Sequence, residues 1–495
     1  CHHPHIDTYA VSALIFFLMT PFWVVFLGLE HCTPPHKGQL YVFALLALCW
    51  IVQVQQWHVQ SDWVRVSDPT TLFHEILKRN EHQLLKSLPS PFATGPLADA
   101  IGRDGSGPCT KQILDGTIDM DFISSIDPSI EMRHFIQALQ RPISKKTGSP
   151  IPPFEYALDS EVYRAIFQKA TESTASSPSR IHYGHYIAAM QDDVLTAVNA
   201  VFMRVPFKHG FPLERWSSSV QCMLQKKNKP YIIKLRIIEL FEADFNSGLK
   251  YILGRQLLYH SETHGINSNQ THGSRPGRYT YDALTITKLT YDIARLDKAN
   301  IVSIFNDAAG CYDRMRHNLM TVSSERMGCP DEVALCLARV LNQMKHHVQT
   351  ANGISEAFIQ ASAGLNLGGA GQGNGGGPVS WHSHMEPLLL AYTKLNAGFS
   401  FEDPTQLLQF VQWIVGYVDD NSLILTFRDG QSSQEAMLEA QAALTSWKNL
   451  LQITGGDLAL EKCVYSYMGW KNEKGAEILG SMNQNRKKKL SLKET

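Results

Sequence analysis

Two adjacent carboxylates, Asp419 and Asp420, interrupt the apolar stretch QWIVGYVDDNSLILTF at 412–427. The flanks WIVGYV and SLILTF are short, β-branched and aromatic, so they read as strands with the acidic pair at the tip of a hairpin. Alone, such a pair fits a plain turn, because a short Asp side chain bonds nearby backbone. A third carboxylate changes the reading. In NIVSIFNDAAGCYDRM (300–315) the run IVSIF predicts a buried strand with Asp307 at its carboxyl end. Asp307 by itself would be a helix cap or turn residue. Together, the acids would lie on rigid strands, far apart in sequence and brought close in space by a neighbouring hairpin. Magnesium, a hard octahedral ion, takes such donors along with substrate phosphates. Two such ions can activate a primer 3′-hydroxyl and stabilise a leaving pyrophosphate.

Between these acids stands NLGGAGQGNGGGPVSWHSHMEPLLLAYTKL (366–395), a glycine-rich loop that runs into a helix with Pro378 suited to its first turn. Glycines allow close backbone approach to a ligand, and free amides hold phosphates or sugars. Gly371, Gly373 and Gly376 match GxGxxG. No clear strand precedes them and no acid stands at the distance a ribose needs, so the dinucleotide reading is rejected. The GxxxxGK[ST] phosphate loop is absent.

The elements that must position these residues are bounded by the whole chain. Its 495 residues suffice for two to four domains and a large core. With 44% hydrophobic and 18% charged residues, most of it is expected to be globular. A net charge of −1 does not advertise a nucleic-acid partner, although a basic groove can be local. The nine cysteines form no CxxC pair, which argues against a zinc ribbon or a disulfide scaffold. The histidines of HSETH (260–264), HSH (382–384) and His346–His347 lack further ligands and read as structural or surface residues.

Five segments follow from composition. Residues 1–66 are an apolar N-terminal segment, in which TYAVSALIFFLMTPFWVVFLGL (8–29) is uncharged and long enough to cross a bilayer, while LYVFALLALCWIV (40–52) is shorter. No basic run precedes the first, which argues against a signal peptide. Residues 67–150 read as a helical connector and linker, ending in the Pro/Gly/Ser stretch SKKTGSPIPPFE (144–155). Residues 151–297 mix helices with a basic patch. Residues 298–470 alternate apolar strands with helical patterns, and 471–495 are a basic tail.

The order FNDAAGCYDRM, then GAGQGNGGGP, then YVDD resembles motifs A, B and C of reverse transcriptases, and is most similar to those of non-LTR (LINE-like) retroelements. The resemblance covers roughly residues 155–470. It implies an α+β right-hand polymerase in which 151–297 are fingers and 298–470 the palm with a fingers insertion, the palm being a βαββαβ-type sheet backed by helices, with the thumb truncated. It implies RNA-directed DNA polymerase activity with two Mg2+ ions, for which Mn2+ could substitute. Asp307 and Asp419 would hold the metal ions, with Asp420 as the third acid. Tyr312 would be the steric gate that rejects a 2′-hydroxyl. Arg236 and Lys234, in KKNKPYIIKLRIIELFEADFN (226–246), would bear the incoming triphosphate. Gln372 and Gly373 would face the nucleotide and the template base.

THGSRPGRYTYDALT (271–285) resembles the family's QxGFRxGRSTxDA stretch, with His272 in place of Gln and Ser274 in place of Phe. Arg275 and Arg278 would then touch template phosphates. WKNLLQITGGDLALEKCVYSYMGW (447–470) resembles motif D and the start of the primer grip, with Lys462 as the general acid for pyrophosphate. The implied partners are an RNA template, a DNA primer and deoxynucleoside triphosphates, in an intracellular, nuclear setting; no protein partner is inferable. HIDTYAVS and PPHKGQLYVF faintly resemble the tail of an apurinic-type endonuclease, but Pro34–Pro35 replace its Ser-Asp, so no nuclease activity is expected. Two rival readings stand beside this one. The chain could be an inactive relic that only binds nucleic acid, or a membrane-anchored protein defined by 8–29.

Overall fold

The computed structural model describes residues 65–495, apart from 175–176, 226–230, 363–364, 404, 406, 428–430, 474–475, 480–487 and 490–495. The apolar runs 8–29 and 40–52 and the endonuclease-like sequence lie outside the described residues. Among the described residues, no helix is long and apolar enough to cross a membrane. The chain divides into two compact units, Cys1–Leu72 and Phe73–Thr495.

The strands that position the site in this α+β unit are β1 (Ser218–Leu224), β2 (Arg236–Leu240), β3 (Asn300–Asp307), β4 (Lys345–Thr350), β5 (Gly353–Ile359), β6 (Phe399–Glu402), β7 (Gln409–Gln412), β8 (Ile414–Tyr417), β9 (Asp420–Phe427) and β10 (Val464–Met468). One sheet has the order β2-β1-β4-β5, in which only β1 and β4 run parallel. A second, wholly antiparallel, places β3 between β10 and β9 with β8 beyond β9 and Lys488–Lys489 at the far edge.

The second sheet is covered on both faces, which explains the near-continuous apolar runs of β3 and β9. Val302, Ile304, Leu423 and Leu425 point into the main core with Trp447 of the helix Ser433–Ile453. Their neighbours Ile301, Ile424 and Val415 join a smaller cluster with Ala283 and Ala294 of the helix Thr280–Leu296. This period of two fixes the register, since a slip of one residue would exchange the faces. In that register Asp307 lies opposite Asp420.

The segment expected as a connector is instead part of the core. Phe92, Leu97, Ile113, Met132, Phe135 and Ile136 are buried in the same cluster as the strands. The helix Ile130–Ala138, capped where Ser129 Oγ accepts from the Met132 amide, packs on the helix Gly377–Leu395. No separation occurs at 151 either. Ile151 and Phe154 are buried, and the Phe154 amide donates to the Gly328 carbonyl at 3.0 Å. The abundance of Pro, Gly and Ser there signals a turn-rich path, but two apolar anchors hold that path against the core.

Candidate functional site

The site is built at the ends of β3, β8 and β9. β8 stops at Tyr417, and Val418 turns the chain with φ of +60°, a conformation that a β-branched residue adopts only under strain. Its surroundings impose the turn. The Trp381 indole, 3% exposed on the helix after the glycine loop, donates to the Val418 carbonyl at 2.9 Å. From the other side Gly273 packs so closely that a Cβ there would stand 2.7 Å from Val418 Cγ2. The segment around Gly273 is stitched to the sheet edge. The His272 amide donates to the Gly416 carbonyl at 2.9 Å, and Gln270 Oε1 accepts from the amides of Trp413 (3.0 Å) and Ile414 (2.9 Å). The THGSR stretch therefore braces the turn that presents Asp419.

The acids feel one another. Burial, then the charges of Asp419 and Asp307, raise the Asp420 carboxyl above the usual carboxylate range. Lys462, at the end of the 3₁₀ turn Leu460–Lys462, forms an ion pair with Asp307. That bond raises the ammonium's pKa above its ordinary value. The loop carrying Lys462 is tied to β3, because the Ala459 amide donates to the Asp307 carbonyl at 2.9 Å. Cys311 Sγ lies 3.8 Å from Asp419 Oδ2, and burial and that carboxylate push its thiol pKa well up.

These acids lie on the wall of a cleft of about 900 Å3. Asp307, Asp419, Asp420, Lys462, Tyr312, Arg236, Lys234 and Gln372 all line it, so eight expected site residues share one cavity. Tyr312 sits beside the glycine loop, its carbonyl accepting from the Ala370 amide at 2.8 Å and its ring centroid 6.4 Å from that of Trp381. Three further residues come from the helix Pro69–Leu85 and the turn after it: Arg79, Gln83 and Lys86. Arg79 and Gln83, spaced i, i+4, share one helix face, and Lys86 follows in the turn just beyond it. Arg79 Nη2 donates to the Leu235 carbonyl at 2.7 Å, beside Lys234 and Arg236, and Gln83 Nε2 donates to Asp313 Oδ2 at 3.1 Å.

The glycine loop packs against β2. The Glu239 amide donates to the Gln372 carbonyl at 2.6 Å, and Gly371, at φ +74°, leaves no room for a Cβ, which would meet Phe241 Cζ at 2.7 Å. Gly373 (φ +126°) lies against the Glu239 carbonyl and does not line the cleft, so its part is to let the loop pass β2. Behind it, buried Glu239 accepts from Ser219 Oγ at 2.6 Å and pairs with His346, which gives that histidine a structural partner.

Arg275 and Arg278 are placed differently from the rest. Arg275 is buried, with Nε 2.6 Å from Glu262 Oε1 and Nη2 2.8 Å from Oε2, and Nη1 donates to the Thr271 carbonyl at 2.7 Å. Its guanidinium thus holds the bracing loop together and is not available to a template phosphate. Arg278 is half-exposed, with one long contact of 3.4 Å to Asn269 Oδ1, and neither arginine lines the cleft.

The carboxylates suit divalent cations. Asp307 and Asp420 are paired across the sheet, Asp419 adjoins them, and their mutual repulsion is offset at present by an ammonium on Asp307. Among the described residues, no three metal-ligating side chains already converge on one point. No protein-family model matches this chain, and no curated protein matches it.

Proposed function

We propose that this protein is an RNA-directed DNA polymerase of the non-LTR retroelement type. In this reading the five-stranded sheet with its covering helices serves as the palm and the β2-β1-β4-β5 sheet as part of the fingers. The observation that carries it is the composition of one cleft: three carboxylates on the end of β3 and the β8–β9 turn, a tyrosine beneath a glycine loop, and a wall of Lys and Arg.

Asp307, Asp419 and Asp420 would hold two magnesium ions, which when bound lower the pKa of a primer 3′-hydroxyl and offset charge on the leaving pyrophosphate. The protein's own groups do the rest. Arg236 and Lys234 receive the triphosphate, the arginine through its bidentate fork. Arg79 and Lys86 add positive charge to the same cleft. The Tyr312 ring fills the space beneath the sugar, so a ribose 2′-hydroxyl meets carbon. The primer hydroxyl gives up its proton to solvent and its oxygen forms a bond to the α-phosphorus as the bond to pyrophosphate breaks, while the Lys462 ammonium, held protonated beside Asp307, supplies the leaving group's proton.

The test is extension of a DNA primer on an RNA template by the full chain with magnesium and deoxynucleotides. Extension that stops in Asp419→Asn is expected. Binding of primer–template with no extension in the unaltered protein would overturn the reading in favour of an inactive nucleic-acid binder.

A further inference from the structure

Apart from the polymerase cleft, a second pocket of about 180 Å3 opens between the segment 92–103 and the start of the helix His317–Arg326. Arg316, the residue that caps this helix, lines it and is 4% exposed. A guanidinium stays charged at any ordinary pH and costs much free energy to bury without a counter-charge. Arg316 has no such partner among the described residues. Its Nη1 donates to Ser87 Oγ at 3.1 Å and to the Asn366 carbonyl at 3.2 Å, and its Nε has no acceptor at all. The charge that acts on it is of the same sign. Arg103, exposed on the same pocket, joins burial in lowering the Arg316 pKa to about 10.

The other polar groups of the wall are already engaged. Asn318 donates to the Phe92 carbonyl (2.9 Å), Asn366 to the Ala93 carbonyl (3.0 Å) and Asn342 to the Arg103 carbonyl (2.9 Å). Three amides thus fasten both sides of the pocket and leave its shape fixed. The arginines supply the donors that remain, and the amino end of a ten-residue helix adds its positive dipole at the same point. Asp99 is the acid on the lining; it is exposed and within ion-pair distance of neither arginine. A rigid pocket with two unpaired guanidinium groups is short of one anion.

We infer that this pocket binds a phosphate-class oxyanion, seated between Arg316 and Arg103 at the start of the helix His317–Arg326. The site is independent of the polymerase reading, since none of its residues lines the catalytic cleft. The shared chemistry is a tetrahedral phosphate, whether free or at the end of a nucleic-acid strand.

Equilibrium dialysis of the full chain against radiolabelled inorganic phosphate, at constant ionic strength, tests this. Saturable binding is expected, weakened about tenfold by Arg103→Gln, as the loss of one charge-assisted bond implies. The equal charge loss at exposed Arg204→Gln should leave it within about twofold. Arg316→Lys, which keeps the charge and loses the fork, should weaken it as well, and Arg103→Gln keeps the question answerable if that buried change impairs folding. Absence of saturable binding, or binding that Arg103→Gln leaves unchanged, overturns the site. Competition by a 5′-phosphorylated trinucleotide, but not by its unphosphorylated form, would assign the phosphate to a strand end; competition by neither would assign it to free phosphate.

Discussion

The Trp381 indole N–H donates a 2.9 Å hydrogen bond to the carbonyl oxygen of Val418, the residue whose positive φ swings the chain into Asp419. One side chain of the helix after the glycine loop therefore sets the direction of an acid on a distant hairpin. Trp381→Phe removes the donor and should cost about 1 kcal/mol of stability. Primer extension should fall more than tenfold, the effect expected when positioning is lost, with primer–template affinity nearly unchanged. Val418→Gly separates the two consequences. It relieves strain of about 1 kcal/mol but gives up the packing of the Val418 side chain on the core, so the denaturation midpoint should fall modestly, while the freer turn should slow extension.

Gly371→Ala should be costly for a different reason. The added methyl meets the Phe241 ring and the Glu239 carboxylate, at a φ of +74° that only glycine adopts freely. A loss of about 2–3 kcal/mol in urea denaturation is expected. A loss below about 0.5 kcal/mol would show that the loop is not wedged on β2 as described.

Tyr312 is assigned the choice of sugar. Tyr312→Ala should leave the use of deoxynucleotides within a few-fold and raise the relative kcat/KM for ribonucleotides by about tenfold or more. Competitive incorporation of the two sugars opposite one template base measures this. An unchanged ratio would remove Tyr312 from that role.

Stability should depend on pH through Glu325, buried at 7% exposure, with a carboxyl that burial pushes up to about 7 against the opposing charge of Arg141. Its folded pKa lies above the unfolded value of 4.5, so the folded state holds a proton that the unfolded state releases first. The contribution is complete below pH 4.5 and is lost as pH rises through about 7. Glu325→Gln should therefore stabilise the protein above neutrality, by up to about 3 kcal/mol, and have little effect below pH 4.5. Urea midpoints of both proteins across that range decide it.

Much of the site was legible because its parts are local. The strand IVSIF leading to Asp307, the VDD turn between two apolar runs, and Pro378 in the first turn of the helix after the glycines each declare themselves within a short window. What escaped depends on pairings across the chain. Arg275 stands in a basic stretch that looks ready for phosphate, and only the fold reveals that Glu262, on the helix before it, claims the guanidinium. Arg79 and Lys86 sit in a segment that reads as a connector, and they matter because its helix is docked beside β2. The stretch 144–155 reads as a linker by composition, whereas Ile151 and Phe154 anchor it. Nothing in the residues around Trp381 discloses that its partner is Val418.

Asp307 and the β8–β9 turn are proposed to form one nucleotidyl-transfer centre. Single-nucleotide incorporation into a DNA primer on an RNA template, by the full chain with magnesium, tests it most directly when Asp307→Asn and Asp419→Asn are compared with the unaltered protein. Incorporation by the unaltered chain is predicted, with each variant slowed by at least about a thousandfold while still binding primer–template. Incorporation that survives either substitution at more than a tenth of the unaltered rate would contradict the account.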